Sequence, residues 1–204
     1  ITENNYAFNI QVTVLPFEDN GRTDVYVDYR LKSHYSPSEA RELLGYGYLV
    51  PKNNDFSNLK LYNWNNVVFS ALNCYEFADV DLRKQFRSEI DILVIGEFNP
   101  DTVYFSNLVE ASSRDLHCYV IQANSAQYGD SRVCSPASTL KKDIMKVKGG
   151  KNPVTIVSEL NIVALREFQL ITYELQQEKE KNPHQFKPTP PGFDISKVKK
   201  RINQ

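Results

Sequence analysis

Segments of continuous or alternating apolar residues along the chain predict a series of short β-strands. Residues 7–15 and 25–31 are rich in β-branched and aromatic side chains, and Glu18-Asp19-Asn20-Gly21 between them is a typical turn sequence. The two segments therefore predict a β-hairpin. Further strands are predicted over 67–72, 91–95, 118–123, 132–134, 144–147 and 155–160.

Helical patterns alternate with these strands. Ser36 before Pro37 is typical of a helix start, so a short helix is expected from there to about Leu44. Asp101 is a natural N-cap for a second helix. Helices are predicted over 78–86, 101–115 and 161–180, and the Asn-rich residues 51–66 are expected to form a loop. The alternation predicts an α/β fold in which helices cover a central sheet.

Composition narrows the class of protein. With 204 residues, of which 41% are hydrophobic, the chain can bury a sizeable core in one domain. A formal net charge of −1 gives no global field toward nucleic acid or an anionic membrane, and the lysines are scattered, so nucleic-acid binding is not expected. No stretch of 18 apolar residues occurs, so a transmembrane helix is not expected either.

Cysteine and histidine usage indicates reduced thiols and no metal site. Three cysteines without paired spacing favour a reducing, cytoplasmic compartment over a disulfide framework. The three histidines do not cluster with them at ligand spacing, so neither a metal nor another cofactor is indicated. The chain starts at Ile1 rather than Met, and we expect it to be the interior of a longer polypeptide.

Asn73-Cys74-Tyr75-Glu76 is the strongest candidate for chemistry. Cys74 directly follows a predicted buried strand and precedes a predicted helix. A thiol at such a junction would lie near the unpaired amides of the helix N-terminus, which stabilise a thiolate. The alternative is that Cys74 is a small apolar residue of the core, as cysteines often are.

Several short motifs, in their order and spacing, resemble those of the nitrilase, or carbon–nitrogen hydrolase, superfamily. The resemblance extends over residues 7–191. The motifs are Arg30-Leu31-Lys32, Asn73-Cys74-Tyr75-Glu76, residues 91–98, Ser113-Arg114, Cys118-Tyr119-Val120, Gln122-Ala123-Asn124 and the segment from Gly129-Asp130-Ser131-Arg132 through Pro136.

The resemblance implies a four-layer αββα sandwich, here incomplete at the N-terminus, and a Glu-Lys-Cys triad that hydrolyses non-peptide C–N bonds. Cys74 matches the nucleophile and Lys32 the lysine that stabilises the oxyanion. No residue of this chain matches the general-base glutamate, which is expected upstream. For the second, orienting glutamate of the family the candidate is Glu39, with Glu42 as the alternative; both could instead be exposed helix charges.

The same resemblance gives candidates for substrate binding. Tyr75 would contribute its backbone amide to the oxyanion hole. Glu97, Phe98 and Asn99 follow a predicted strand, where ligands of α/β folds collect, and would line the substrate pocket. The alternative is an ordinary turn opened by Asn99-Pro100.

Taken together, the sequence predicts a nitrilase-like domain over residues 1–195 and a basic C-terminal tail over 196–204. The complete domain is expected to cleave a small-molecule amide or nitrile through a cysteine thioester or thioimidate. The alternative is a catalytically silent binding or regulatory module of a larger multidomain protein. The expected partners are the upstream segment of the same polypeptide and a second copy, in a homodimer or larger assembly, and without that upstream segment the chain is expected to be inactive.

Overall fold

A computed structural model describes residues 1–51, 59–150 and 155–203. The chain divides into two compact units, Ile1–Lys60 and Leu61–Gln204. Each unit is described by itself below.

The first unit is built on a long antiparallel hairpin. Its strands pair in continuous register, with Ile10 opposite Leu31 and Asp19 opposite Arg22. Asn20 and Gly21 both have positive φ angles, as a tight two-residue hairpin turn requires. The predicted hairpin is confirmed, with longer strands than the sequence indicated. The strands of this unit are β1 (Thr2–Glu3), β2 (Tyr6–Ala7), β3 (Ile10–Asp19) and β4 (Arg22–Leu31).

The helix of the first unit, α1 (Pro37–Gly45), begins as its sequence predicts. The Ser36 hydroxyl accepts a hydrogen bond from the Glu39 amide at 3.2 Å, and the Glu39 carboxylate accepts one from the Ser36 amide at 3.4 Å. This reciprocal capping box satisfies two amides that the helix itself leaves unpaired. It also fixes the Glu39 side chain at the start of the helix.

The second unit contains a six-stranded mixed sheet. The three central strands run parallel and carry the apolar segments that the sequence predicts for buried strands. Each of the remaining strands pairs antiparallel with its neighbour in the sheet. The α/β class is confirmed. The strands are β5 (Tyr62–Trp64), β6 (Val67–Asn73), β7 (Ile92–Glu97), β8 (Tyr119–Asn124), β9 (Ser131–Cys134) and β10 (Asp143–Val147). Their order across the sheet is β10-β9-β8-β7-β6-β5.

Helices pack against this sheet. The longest helix, Thr102–Leu116, buries Phe105, Val109 and Leu116 and contacts β8 and β9. Its N-cap is Asp101, as predicted. None of the helices in the described part of the chain is long and apolar enough to span a bilayer. The helices of this unit are α2 (Val80–Lys84), α3 (Thr102–Leu116), α4 (Ile162–Leu170) and α5 (Ile195–Ile202).

Two sequence predictions about strands are wrong. Residues 155–160 form no strand, and five of the six are exposed, so they lack the partner and the buried face that a strand needs. Conversely, β5 lies inside the predicted loop 51–66 and pairs with β6. Residues 52–58 of that loop lie outside the described residues.

The predicted helix over 161–180 ends much earlier, at Leu170. Ile171 has an extended backbone, and the Gln176 side-chain amide donates to its carbonyl oxygen at 3.0 Å. The carbonyl oxygen of the Gln176 side chain in turn accepts from the Thr189 amide at 2.8 Å. The β-branched pair Ile171-Thr172 favours an extended backbone, and these tertiary hydrogen bonds stabilise the chain reversal there.

The residues predicted as a basic tail form the helix α5. Asp194 caps it by accepting from the Ser196 amide at 2.8 Å, and Val198 and Arg201 are buried. Lys199 and Lys200, which lie between these two residues, are exposed. The segment is therefore an amphipathic helix that packs through one face and carries charge on the other. The boundary of the domain at residue 195 stays a prediction.

A buried ion-pair network links α4 and α5 to the sheet. The fully buried Asp91 accepts from Arg166 Nε at 2.9 Å and from the Val68 amide at 2.9 Å, and Arg201 Nε lies 3.2 Å from its Oδ1. Arg201 also donates to the Ser88 carbonyl oxygen at 2.6 Å. Burial lowers the pKa of Arg201, and the charge of Asp91 opposes that shift. The network therefore joins the N-terminal ends of the central strands to both helices.

Candidate active site

Cys74 lies at the turn that directly follows the central strand β6. β6 ends at Asn73, and a 3-10 helix, Cys74–Ala78, begins at the cysteine. The Cys74 φ angle is 40°, in the left-handed region that non-glycine residues rarely adopt. Such backbone strain is common at functional sites. Cys74 is half-buried and not in a disulfide.

The turn is held by a buried carboxylate. Glu76 is completely buried and accepts a hydrogen bond from the Asn73 amide at 2.8 Å. Downstream, Arg83 donates to the Phe77 carbonyl oxygen at 2.6 Å and stacks over the Phe77 ring. These contacts fix the backbone on both sides of the thiol.

The predicted electrostatic support from a helix N-terminus is weaker than the sequence indicated. Instead of one helix over 78–86, the structure has a five-residue 3-10 helix followed by the five-residue α2. A macrodipole grows with aligned peptide units, so these short helices contribute little to a thiolate. The other two cysteines are in a different environment. Burial raises the pKa of Cys118 and Cys134, which keeps both thiols protonated.

Lys32 and Glu39 form an ion pair between a buried lysine and a half-buried glutamate in the first unit. Lys32 follows β4, its side chain is only 3% exposed, and its Nζ lies 2.6 Å from Glu39 Oε2. Asn9 Nδ2 donates to Glu39 Oε1 at 3.2 Å. Lys32 is therefore not the exposed strand-end lysine of the alternative interpretation. Between the two candidate glutamates, Glu39 is the one that binds Lys32, while Glu42 is exposed.

Glu39 and Glu42 also line a cavity of about 640 Å³ in the first unit. Tyr35 lines the same cavity, and Lys32 Nζ lies 5.3 Å from the centroid of its ring. Glu39 thus pairs with a buried ammonium on one side and faces open space on the other. Its catalytic role, like that of Lys32, stays a prediction.

Glu97, Phe98 and Asn99 lie at the carboxyl end of β7. Glu97 Oε2 accepts from Gln122 Nε2 at 2.8 Å. Phe98 is 68% exposed and packs edge-on against Tyr128, with ring centroids 5.2 Å apart. Asn99 is 9% exposed. This set combines a carboxyl group, an exposed aromatic ring and an amide, and its role in binding a substrate stays a prediction.

Asn124 holds the loop that carries these residues. Its side chain donates to the carbonyl oxygens of Asn99 and Gly129, both at 2.9 Å, and accepts from the Asn99 amide at 3.0 Å. The turn interpretation of Asn99-Pro100 is also correct in part, because Asn99 Oδ1 accepts from the Asp101 amide at 2.9 Å. The loop is therefore fixed by side-chain hydrogen bonds to its backbone.

The Glu97 carboxyl has an unusual protonation equilibrium. Burial raises its pKa from 4.5 to about 7; the hydrogen bond from Gln122 opposes the shift, and the negative charge of Asp130 adds to it. Near neutral pH the group is divided between its acid and carboxylate forms. A carboxyl group of this kind can take up or release a proton at physiological pH.

This shift predicts a pH dependence of stability. The folded protein binds the Glu97 proton more tightly than the unfolded chain does. The contribution of Glu97 to the free energy of unfolding is therefore fully present below pH 4.5 and is lost as the pH rises through about 7. Glu97→Gln is expected to remove that loss and to raise the free energy of unfolding at pH 8 by about 1–3 kcal/mol, with less effect at pH 4. Urea unfolding at both pH values measures it. Equal changes at the two pH values, or the same gain in the exposed control Glu167→Gln, would contradict the assignment.

The second unit thus brings Cys74 and Tyr75 to the same sheet edge as Glu97–Asn99, through the parallel pairing of β6 and β7. The first unit brings Lys32 and Glu39 together. Sequence reasoning did not assign Gln122 as the partner of Glu97. A polar residue among the apolar residues of β8 is the signal that could have indicated it.

Comparison with solved structures identifies the fold. A CN-hydrolase superfamily protein from Xanthomonas campestris, solved with an arsenic adduct in its active site, matches with a TM-score of 0.51 and 13% identity over 78% of this chain and 64% of that chain. The chain has the fold of the CN-hydrolase superfamily. The resemblance to the nitrilase superfamily predicted from the sequence is confirmed at the level of fold.

Further structures with the CN-hydrolase fold also match. A cysteine-to-alanine mutant of the Nesterenkonia AN1 amidase, from the nitrilase superfamily, has a TM-score of 0.47 and 14% identity over 69% of this chain and 58% of that chain. The chain therefore spans roughly six-tenths of the length of these structures. No family model and no curated protein matches the sequence.

Proposed function

We propose that this chain carries the nucleophile and substrate-binding edge of a carbon–nitrogen hydrolase that cleaves a small amide or nitrile. The observation that carries the proposal is the strained, half-buried Cys74 at the carboxyl end of a central parallel strand. Ligands of open α/β sheets bind at this edge. The CN-hydrolase fold of the chain supports the same assignment.

In the proposed reaction, the Cys74 thiolate attacks the carbonyl carbon of an amide and forms a tetrahedral intermediate. The Tyr75 backbone amide, which follows the nucleophile in the chain, would donate to the oxyanion, and the Lys32 ammonium would stabilise its charge as the family resemblance implies. The C–N bond then breaks, the amine leaves with a proton, and water hydrolyses the resulting thioester. A nitrile would pass through a thioimidate instead.

The remaining assignments belong to the same proposal. Glu39 would orient Lys32, which it already binds at 2.6 Å. Phe98 and Asn99 would contact the substrate, one through an exposed ring and the other through a buried amide. We also propose that the protein acts as a dimer or larger assembly, and in the cytoplasm.

The test uses the three cysteines of the chain as internal controls. Acylation of the thiol is only the first half of the reaction and requires no turnover, so it can be followed on a chain that is not expected to complete the catalytic cycle. We expect p-nitrophenyl acetate to transfer one acetyl group to Cys74, because the thiols of Cys118 and Cys134 are buried and held protonated. Intact-mass analysis and peptide mapping locate the adduct. Cys74→Ala should abolish it without loss of stability, because alanine keeps the same backbone strain.

A second comparison separates a hydrolase from a silent binding module. Lys32→Ala is expected to lower the rate of acetyl transfer to Cys74 by at least about tenfold, since it removes a charge that stabilises the transition state. The exposed Lys199→Ala serves as its control. If wild-type Cys74 reacts no faster than Cys118 and Cys134, the hydrolase proposal fails and the binding module is favoured.

A further inference from the structure

The second unit contains a cavity of about 430 Å³ between the start of α3 and the end of β10. This volume is within the range of about 300–1,000 Å³ that is usual for pockets that bind small organic molecules. The reaction proposed above uses none of the residues that line the cavity. The polar residues of the lining come from the first two turns of α3, the loop before β9 and the end of β10, and they include Thr102, Ser106, Asn107, Tyr128, Lys146 and Lys148.

Two lysines of the lining give the cavity a positive charge. Lys146 lies in β10 and Lys148 directly follows the strand, and side chains two residues apart point to the same side of a strand. Lys146 Nζ lies 2.8 Å from Oδ1 of Asp130, which also lines the cavity. Lys148 has no ion-pair partner among the described residues. In this part of the lining, one ammonium charge is therefore left without a counter-charge.

The base of the Lys148 side chain is held in place by a close contact between two backbone segments. A Cβ atom at Gly129 would lie 1.6 Å from the Lys148 carbonyl oxygen, which shows how closely the two chains approach. The Gly150 amide also donates to the Ala126 carbonyl oxygen at 3.2 Å. The loop before β9 and the end of β10 therefore form one packed wall, and a preorganised wall lowers the entropic cost of binding a ligand.

The uncharged polar groups of the lining can act as hydrogen-bond donors. The Ser106 hydroxyl oxygen accepts from Arg132 Nη1 at 2.5 Å, so toward a ligand this hydroxyl can donate its own proton. The hydroxyl groups of Thr102 and Tyr128 and the side-chain amide of Asn107 can donate as well. A ligand that fits this lining carries negative charge and accepts hydrogen bonds from several directions. A phosphate group has both properties.

We propose that this cavity binds a small organic phosphate, a monoester whose phosphate group contacts Lys148. The Thr102 and Ser106 hydroxyls would donate to the other phosphate oxygens. The cavity volume is more than about ten times the 30 Å³ or so that a water molecule takes up in the liquid, so a phosphate ion alone would leave much of it empty. The Tyr128 ring, which packs edge-on against Phe98 with centroids 5.2 Å apart, offers a surface for the organic group.

The test is a titration of the isotope-labelled chain with phenyl phosphate at constant ionic strength, followed by the NMR shifts of backbone amides. We expect saturable shifts that are largest in residues 102–107, 128–130 and 146–148. Inorganic phosphate should bind more weakly, because it has no ring to contact Tyr128. Phenol, which has the ring without the phosphate, should cause no saturable shifts. The proposal is overturned if phenyl phosphate does not saturate these shifts, or if inorganic phosphate binds as tightly.

Two variants should change the affinity in opposite directions. Lys148→Met removes the unpaired ammonium group but keeps an unbranched side chain, and it should weaken phenyl phosphate binding by about tenfold. Asp130→Asn removes the carboxylate that binds Lys146 and should tighten the binding by about threefold, because a second ammonium group becomes available. Asparagine tolerates the positive φ angle of 63° at this position.

The control is Lys199→Met, which removes the same charge from an exposed position of α5 and should bind phenyl phosphate like the wild type. Circular dichroism establishes that each variant is folded. If Lys148→Met binds as tightly as the wild type, or Asp130→Asn binds more weakly, the assignment of this cavity is wrong. The titration does not involve Cys74, so its failure leaves the hydrolase proposal standing. Equally, a chain whose Cys74 is not acetylated could still show this site.

Discussion

Asp91→Ala is expected to lower the free energy of unfolding by about 3–5 kcal/mol, which is the usual cost of breaking a buried ion pair by removing one partner. The carboxylate of Asp91 is fully buried and is shared by Arg166 and Arg201. Its loss would leave two largely buried guanidinium groups without their counter-charge, and would also leave the Val68 amide without its acceptor. Urea denaturation monitored by circular dichroism measures the change.

The control is Asp115→Ala, which removes the same side chain from an exposed position in the last turn of α3. It should change the free energy of unfolding by no more than about 0.5 kcal/mol. A loss of similar size in both variants would mean that the network contributes nothing beyond an ordinary surface charge.

Gly129→Ala is expected to lower the free energy of unfolding by about 2–5 kcal/mol, because the new methyl group would overlap backbone atoms of a neighbouring segment. A Cβ atom at Gly129 would lie 1.6 Å from the Lys148 carbonyl oxygen, and the Gly129 φ angle is +73°. The loop would have to move away from Lys148 and Gly149. Since Asn124 binds the Gly129 carbonyl oxygen and also holds Asn99, the movement should reach the proposed site and slow acetylation of Cys74.

Gly192→Ala separates the clash from the backbone strain. Gly192 has a similar φ angle of +76°, but its Cβ would meet only the flexible end of the Arg87 side chain, at 3.4 Å. Gly192→Ala should therefore lower the free energy of unfolding only by the cost of the left-handed backbone, about 1–2 kcal/mol. It should leave Cys74 reactivity unchanged. Equal losses in the two variants would show that the contact with Lys148 is unimportant.

Elements that depend on local signals could be predicted from the sequence. The hairpin follows from its turn residues, α1 from its Ser36 cap, and the central strands from short apolar segments. Cys74 was placed correctly at the end of its strand for the same reason. The pairing of Lys32 with a glutamate of α1 could be proposed from the family resemblance, although sequence reasoning left Glu39 and Glu42 as alternatives.

Features that depend on distant contacts could not be predicted. Arg166 binds Asp91 across 75 residues, and nothing in either neighbourhood indicates the pair. The early end of α4 depends on Gln176 and Thr189, which hold a chain reversal that helix propensity opposes. The raised pKa of Glu97 likewise results from tertiary burial, whereas the sequence shows only a glutamate after a strand.

The backbone conformation and the proposed chemistry favour different residues at position 74. Glycine would adopt this conformation without penalty, so the fold alone would favour Cys74→Gly. Only cysteine supplies a thiol there. During evolution, a lineage released from the need for the thiol would gain stability by losing it, and descendants that have kept cysteine at this turn would be those in which the sulfur is still in use.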